Sequence, residues 1–311
     1  MDKVFLEKYQ QELLSSFKTV VSFLNRKDIK WIVLDGTCLG AVRHQGMIPW
    51  DDDIDIGMNR NEIQKLLKDS KELKQLGYSI STPYEDNSFT PFFRIYNLNT
   101  TIWGRPGFFT AHLWIDIFPL DKTSKSQLQY EKGLTDYLLL KSKWLRSIEK
   151  TPLREYLYLF SRGHWGGIVE RIVNTLYYNH KSKYFHSKFI QQEQRFNEEH
   201  GHHYVIPTDT LGSIEYFPCE WFDNRLLVPF ENFEVYIPQN YNEYLSTIYG
   251  DYMTPPPIEK RINTHNTYYV NLKENIKKEE IRRRLKTGEE ANKDYVCFSP
   301  EPSLIKRLFK K

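Results

Sequence analysis

Three cysteines in 311 residues, Cys38, Cys219 and Cys297, are too few and too scattered for a disulfide framework or a cysteine-rich zinc site. They suit a reducing compartment. Long apolar runs are missing as well. No window approaches the roughly 18 uninterrupted apolar residues of a membrane-spanning helix, so no such helix is expected. The first eight residues hold no apolar stretch and no small-residue cleavage site, so no secretory leader is expected. Charge of one sign is lacking: 43 Lys and Arg face 40 Asp and Glu, a formal +3, which argues against a chain built to coat nucleic acid. What the chain does have is 40% apolar and 15% aromatic residues, enough for a packed core and too many for wholesale disorder. These features lead to an expectation of a soluble, cytoplasmic enzyme. Its charge is unevenly spread. Residues 271–311 hold 12 basic against 7 acidic residues, hence +5, which leaves −2 for the rest.

Periodicity divides the chain. Phe5, Leu6, Leu13, Leu14, Phe17, Val20, Val21 and Leu24 recur at helical spacing over residues 3–27. Residues 31–35 read as a strand closed by Gly36, with Thr37 placed to cap a short helix from Cys38 to about His44. After a Gly/Pro loop, residues 51–57 (Asp-Asp-Asp-Ile-Asp-Ile-Gly) alternate acid and aliphatic from Asp53 onward, the pattern of a strand with one acidic and one buried face. Residues 61–76 form an amphipathic helix with Asn59 or Asn61 as its cap. Residues 92–96 form a strand, and residues 113–118 a further strand with Asp116 between two Ile, ended by Pro119. Residues 125–200 are helical in pattern and carry no acidic motif. A last amphipathic helix is expected over 241–248.

Asp53 and Asp55 stand two apart on a strand and point the same way. Asp116 sits in the same kind of setting, and if the two strands are neighbours the three carboxylates converge. Two such charges about 4 Å apart repel by roughly 4 kcal/mol at an effective dielectric of about 20. A cation relieves that repulsion, and an all-oxygen set favours Mg²⁺ or Mn²⁺, which also bind phosphates. Upstream, Gly36 lets a phosphate approach the backbone, Thr37 follows, and the helix N-terminus offers its N–H groups and positive dipole end. Arg43, inside the same unit, is the nearest basic candidate for a phosphate. The alternative for the acidic run is a solvated turn.

A strand, a Gly-Thr turn onto a helix, an Asp-Ile-Asp-Ile strand and a later Ile-Asp-Ile form a nucleotidyltransferase pattern. Residues 35–57 (Asp-Gly-Thr-Cys-Leu-Gly-Ala-Val-Arg-His-Gln-Gly-Met-Ile-Pro-Trp-Asp-Asp-Asp-Ile-Asp-Ile-Gly) resemble the signature of the LicD family. That family lies within the nucleotidyltransferase-fold superfamily, includes bacterial phosphocholine transferases and resembles fukutin-related protein, a ribitol-phosphate transferase. The resemblance recurs at residues 115–121, 237–245 and 249–257. It implies an α+β fold, a nucleotidyltransferase-like mixed sheet flanked by helices with a helical insertion. The organisation it implies is a catalytic core at 1–124, the insertion at 125–200, a part completing the active-site domain at 201–270, and a basic tail at 271–311. The implied reaction moves a phospho-alcohol, most often phosphocholine, from a CDP-activated donor to a sugar hydroxyl of a teichoic acid, capsule or lipopolysaccharide precursor, and releases CMP. Asp51, Asp53 and Asp55 match the family's metal-binding run and Asp116 its third-strand acid, either a ligand or the base that takes the acceptor's proton. Arg94, Arg261 and His265 fall where the family carries basic residues. Asp52 is expected to face away from the site.

Several features stay open. Trp50 is read as a stacking residue or a loop wedge, and Tyr249 and Tyr252 as site-lining or packing residues. A choline cage would draw on Trp103, Phe108, Phe109, Trp114 or Tyr252. The histidines of residues 200–203 read as a solvated loop, and Cys38 as a buried non-nucleophile. Residues 304–311 join apolar and basic side chains. They suit weak attachment to the inner face of a membrane carrying a lipid-linked acceptor. The competing readings are a CDP-ribitol, CDP-glycerol or sugar-phosphate transferase, and an inactive glycan-binding relative.

Overall fold

The computed structural model describes residues 3–85, 90–103, 110–148, 156–157, 160, 163–197, 200–206, 215–261, 269–287 and 295–297. Helix α1 (Lys3–Arg26) leads into β1 (Ile32–Val33), α2 (Asp35–His44) and β2 (Asp55–Asn59). Then come α3 (Arg60–Lys68), α4 (Ser70–Gln75), β3 (Tyr78–Ser81), β4 (Phe93–Trp103) and β5 (Thr110–Thr123). A helical stretch follows, with α5 (Gln127–Ile148), α6 (Trp165–Val173), a π turn at Asn174–Tyr178 and α7 (Ser182–Glu193). Strands β6 (His203–Val205) and β7 (Tyr216–Pro218), the hairpin β8 (Arg225–Phe230) and β9 (Phe233–Pro238), α8 (Tyr241–Tyr249), β10 (Tyr269–Asn271), α9 (Lys278–Thr287) and β11 (Tyr295–Cys297) complete the chain.

The main sheet runs β1-β2-β5-β4-β10-β11, with β3 also on β4 and β6-β7 added to the far end of β5. Only β2 and β5 run parallel among these pairs. The fold is therefore α+β with a mixed sheet, as expected. Apolar residues of α1 recurring every three or four positions, including Tyr9, Leu13, Phe17, Val20 and Leu24, are buried against it. Asn59 caps α3 by accepting the Glu62 N–H, and the helix expected over 61–76 is broken in two at Asp69.

Pro119 does not end its strand. Asp116 N–H bonds Ile54 O on the β2 side, so by alternation position 119 turns its nitrogen toward the β4 side. There β4 has already stopped, its Phe93 lying opposite Ile117, and the missing donor costs no ladder bond. The strand thus runs on to Asp121 and Thr123, where β6 joins it.

The helices after β5 gather around a second core. Tyr130, Tyr137 and Trp144, seven apart on α5, pack with Phe185 and Phe189 of α7 and with Phe196, and Trp144 stacks on Phe189 at 4.8 Å. One buried ionic cluster ties this layer to the sheet. Arg60 Nε and Nη2 donate to the two oxygens of Asp121 at 2.7 Å, and Nη2 reaches Glu193 Oε1 at 2.8 Å. Burial pushes the Glu193 carboxyl up to about 7, against the pull of Arg60. Its folded pKa lies above the unfolded one, so the folded state takes up the proton first as pH falls and gains stability. Melting temperature is expected to rise between about pH 8 and about pH 5, and the rise should be smaller in Glu193→Gln. Equal slopes for the two proteins in a pH series of thermal melts would refute this.

Candidate active site

The site forms where β1, β2 and β5 meet the N-terminus of α2. Asp55 and Asp116 are register partners across the parallel β2–β5 pair, so the expected neighbouring of the two acidic strands holds. Asp53 does not lie on the strand, which begins at Asp55. Residues 51–54 form a loop held by α1, where Gln10 Nε2 donates to Asp51 O at 2.8 Å and to Ile48 O at 3.1 Å. Burial still alternates along the loop, with Asp52 and Ile54 buried and Asp51, Asp53 and Asp55 half-buried. Asp52 nonetheless does not turn wholly away. One carboxylate oxygen from each of Asp51, Asp52 and Asp53 falls within 4.8 Å of the others.

The carboxylates crowd one another. The Asp51 and Asp55 carboxyls are both pushed well above their ordinary range, first by burial and then by Asp53. Asp35 and Asp116 add to the push on Asp55. Asp35 is a member that sequence reasoning passed over. Burial raises it to about 6, although Tyr244 Oη donates to its Oδ1 at 2.9 Å. The same hydroxyl accepts the Asp35 N–H at 3.1 Å, occupying the first donor of α2. Such a set of hard oxygens, burdened by its own repulsion, fits a divalent cation.

Two neighbours of the acids fit the turn into α2 closely. Asp35, with φ of 44°, and not Gly36, takes the left-handed backbone conformation. Gly36 instead makes room: a Cβ there would lie 2.8 Å from Asp51 Oδ2. Thr37 sits inside the first turn of α2 and does not cap it. Its Oγ1 accepts the Asp55 N–H at 2.9 Å and pins the helix to β2.

Arg94 was expected at a phosphate and is engaged by Asp116, with Nε to Oδ1 at 2.5 Å and Nη2 to Oδ2 at 3.3 Å. Trp114 Nε1 donates to the same Oδ2 at 3.1 Å, and the guanidinium lies 4.6 Å over the Trp114 ring. Burial works against the Arg94 charge, but Asp116 and Tyr96 together outweigh it and the pKa rises. Asp116 is thus held by donors on both oxygens.

Arg43 and Arg261 converge on Trp50, their guanidinium carbons 6.0 and 5.1 Å from its ring centroid. Backbone carbonyls hold them in place: Arg43 Nη1 donates to Tyr252 O at 2.6 Å and Arg261 Nε to Pro256 O at 2.8 Å. Burial and then Arg261 lower the Arg43 pKa, and burial, Arg43 and Arg261 lower that of His44. His44 Nε2 accepts from Arg43 Nε at 3.0 Å. The hairpin turn braces the loop before Trp50, with Glu231 Oε1 accepting the Met47 N–H. Burial and then Asp35, Asp55 and Asp51 push the Tyr249 hydroxyl up.

The remaining expectations divide. His265, Phe108, Phe109 and residues 304–311 lie outside the described residues. Trp103 belongs to a separate cluster with Tyr269, Ile276 and Ile281. Tyr252 is buried and donates to Asn242 Oδ1 at 2.8 Å. The Cys38 thiol is fully buried, and burial followed by Asp35 pushes it up, which suits a non-nucleophile. His203 stacks on Tyr216 at 4.2 Å.

Residues 28–153, which hold Gly36, Thr37, Arg43, Arg94 and the aspartates of the site, match the family model described as LicD/FKTN/FKRP, nucleotidyltransferase domain. Across 284 residues the chain is 25% identical to the lipopolysaccharide cholinephosphotransferase LicD of Haemophilus influenzae, covering 85% of this chain and 97% of that protein. Residues 28–153 thus form a LicD-type nucleotidyltransferase domain. The chain is also 47% identical over 77 residues to an uncharacterized protein of Rickettsia typhi, a match covering 24% of each. An uncharacterized protein of Rickettsia prowazekii is 42% identical over 69 residues, 22% of this chain and 26% of that one. Among the described residues, no helix is long and apolar enough to cross a membrane.

Proposed function

We propose that this chain transfers phosphocholine from a CDP-activated donor to a sugar hydroxyl of a lipopolysaccharide-type glycan precursor and releases CMP. The acceptor oxygen bonds to the phosphorus that carries the alcohol, the bond from that phosphorus to CMP breaks, and the hydroxyl proton departs. The observation that carries this reading is the pairing of a crowded acidic set with two arginines around Trp50, the residue next to Asp51. A diphosphate needs both a cation shared with carboxylates and direct guanidinium contacts. Asp51, Asp53, Asp55 and Asp116 would hold Mg²⁺ or Mn²⁺. Bound there, the metal would supply charge neutralisation for the diphosphate and the departing CMP. Arg43 and Arg261 grip the phosphates, and Trp50 offers a face to the cytosine.

The choline specificity has a competitor with its own observation. Among the described cage candidates, Trp114 carries Arg94 on its ring, Trp103 sits in a separate core and Tyr252 is buried. That favours a polyol donor, CDP-ribitol or CDP-glycerol, as the second reading. The intact carboxylate set argues against an inactive glycan-binding relative. Incubation with each CDP-alcohol, Mg²⁺ and candidate acceptors, following CMP release, separates these readings. CDP-choline is expected to be consumed first, and Asp53→Ala to be inactive. Wild-type rates from Asp53→Ala would overturn the acid assignment.

Gly36→Ala offers a gentler probe. The new methyl must displace the Asp51 carboxylate, the mobile end of a side chain, so the fold should survive. CMP release should fall by about tenfold or more with a nearly unchanged melting temperature, because a misplacement of about 1 Å is costly at a reacting centre.

A further inference from the structure

Helix α6 is held to the rest of the helical layer by polar contacts, Arg146 with Glu170 at 3.6 Å and Tyr156 Oη donating to Arg171 O at 3.0 Å. None of its nine residues is buried. Trp165, Val169, Ile172 and Val173, continued by Leu176 in the π turn, follow positions i, i+4, i+7, i+8 and i+11 and so share one face. All five are exposed, Trp165 at 62%, Val169 at 59% and Leu176 at 70%, and exposed Phe160 packs edge-on against Trp165 at 5.3 Å. Isolated exposed apolar side chains are ordinary, but a continuous stripe of this size marks a surface that meets something.

Charge identifies the partner. Residues 141–188 hold ten Lys and Arg against three Glu, hence +7. The whole chain is +3, so the other residues carry −4. Among the described residues of that stretch, Lys141, Lys143, Arg146, Arg171, Lys181, Lys183 and Lys188 stand against Glu170, so apposing two copies would bring two basic segments together, which opposes self-association. An anionic surface with an apolar interior satisfies both the charge and the stripe. Lys181, exposed and 4.0 Å over the Tyr177 ring, has the arrangement of a basic group that keeps its charge at headgroup level above apolar surface.

We propose that α6 and its π-turn extension form a docking face for a phospholipid bilayer with anionic headgroups, lying in the interface without spanning it. The apolar stripe enters the acyl boundary, and the surrounding Lys and Arg hold the headgroups. This stands whether or not the chain transfers phosphocholine, and it is separate from the basic tail.

The test is co-sedimentation of the full chain with vesicles of phosphatidylglycerol and phosphatidylcholine, or of phosphatidylcholine alone. Binding is expected to the mixed vesicles only and to weaken with salt. The triple variant Val169→Ser/Ile172→Ser/Leu176→Ser should bind about tenfold more weakly or worse, while removal of residues 299–311 should leave most of the binding. Brominated lipid should quench tryptophan emission in the wild type and much less in Trp165→Phe, a conservative change that tests the same face should the triple variant misfold. Wild-type binding by a folded triple variant, or full loss on tail removal, would overturn the proposal. So would a solution dimer that the triple variant dissolves.

Discussion

Asp55→Asn should abolish CMP release, by about a hundred- to a thousandfold at least, and yet raise the melting temperature in metal-free buffer. The two effects have one cause. Asp55 is a half-buried carboxyl whose pKa is raised well above the ordinary range, first by burial and then by Asp53, Asp35, Asp116 and Asp51. Without a cation that repulsion weighs against the folded state, and asparagine, of nearly the same shape, removes one charge from it. With Mg²⁺ the order should reverse. Metal bound only to the folded state stabilises the wild type in proportion to the logarithm of its concentration, and the variant should respond much less. Thermal melts of both proteins across a Mg²⁺ series, beside the CMP assay, make the check. A variant that is less stable without metal, or that gains as much from Mg²⁺ as the wild type, would show that Asp55 is no metal ligand.

Arg60→Met should destabilise the fold by about 3–5 kcal/mol, or on the order of 10 °C in melting temperature. Arg60 is the shared cation of Asp121, whose side chain is 0% exposed, and Glu193, at 1%. It also donates to the Tyr84 hydroxyl. Removing it strands two carboxylates where water does not reach, and most of the loss is their unmet desolvation. Adding Asp121→Asn and Glu193→Gln to Arg60→Met should therefore recover a large share of the lost stability. A single variant within a few degrees of wild type, or a triple variant no better than the single, would contradict this account.

The acids were legible because strand alternation is local. Asp-Ile-Asp-Ile and Ile-Asp-Ile each declare a polar face, and the parallel register of Asp55 with Asp116 bears that out. Asp53 was misplaced because alternation of burial runs on upstream of Asp55, where the residues have left the ladder. Arg94 read as a phosphate ligand because nothing local reveals that β4 sets it opposite Asp116. Pro119 read as a strand end because its side of the ladder is vacant only through where β4 stops. Glu193, among glutamines on a polar-looking helix, gave no hint of burial, and its partner Arg60 lies 133 residues away. Tyr244 was one of 21 tyrosines until the fold set its hydroxyl on Asp35.

The Asp35–Tyr244 and Arg43–Tyr252 contacts each join residues 209 apart. On the ribosome, at about 5–20 residues per second, the acidic loop waits roughly 10–40 s for the chain that closes it. Throughout that interval the nascent protein exposes a repelling carboxylate set with Arg43 unanchored and Arg261 not yet made. A message truncated anywhere before codon 244 therefore yields a product that lacks the Tyr244 clasp on the first turn of α2.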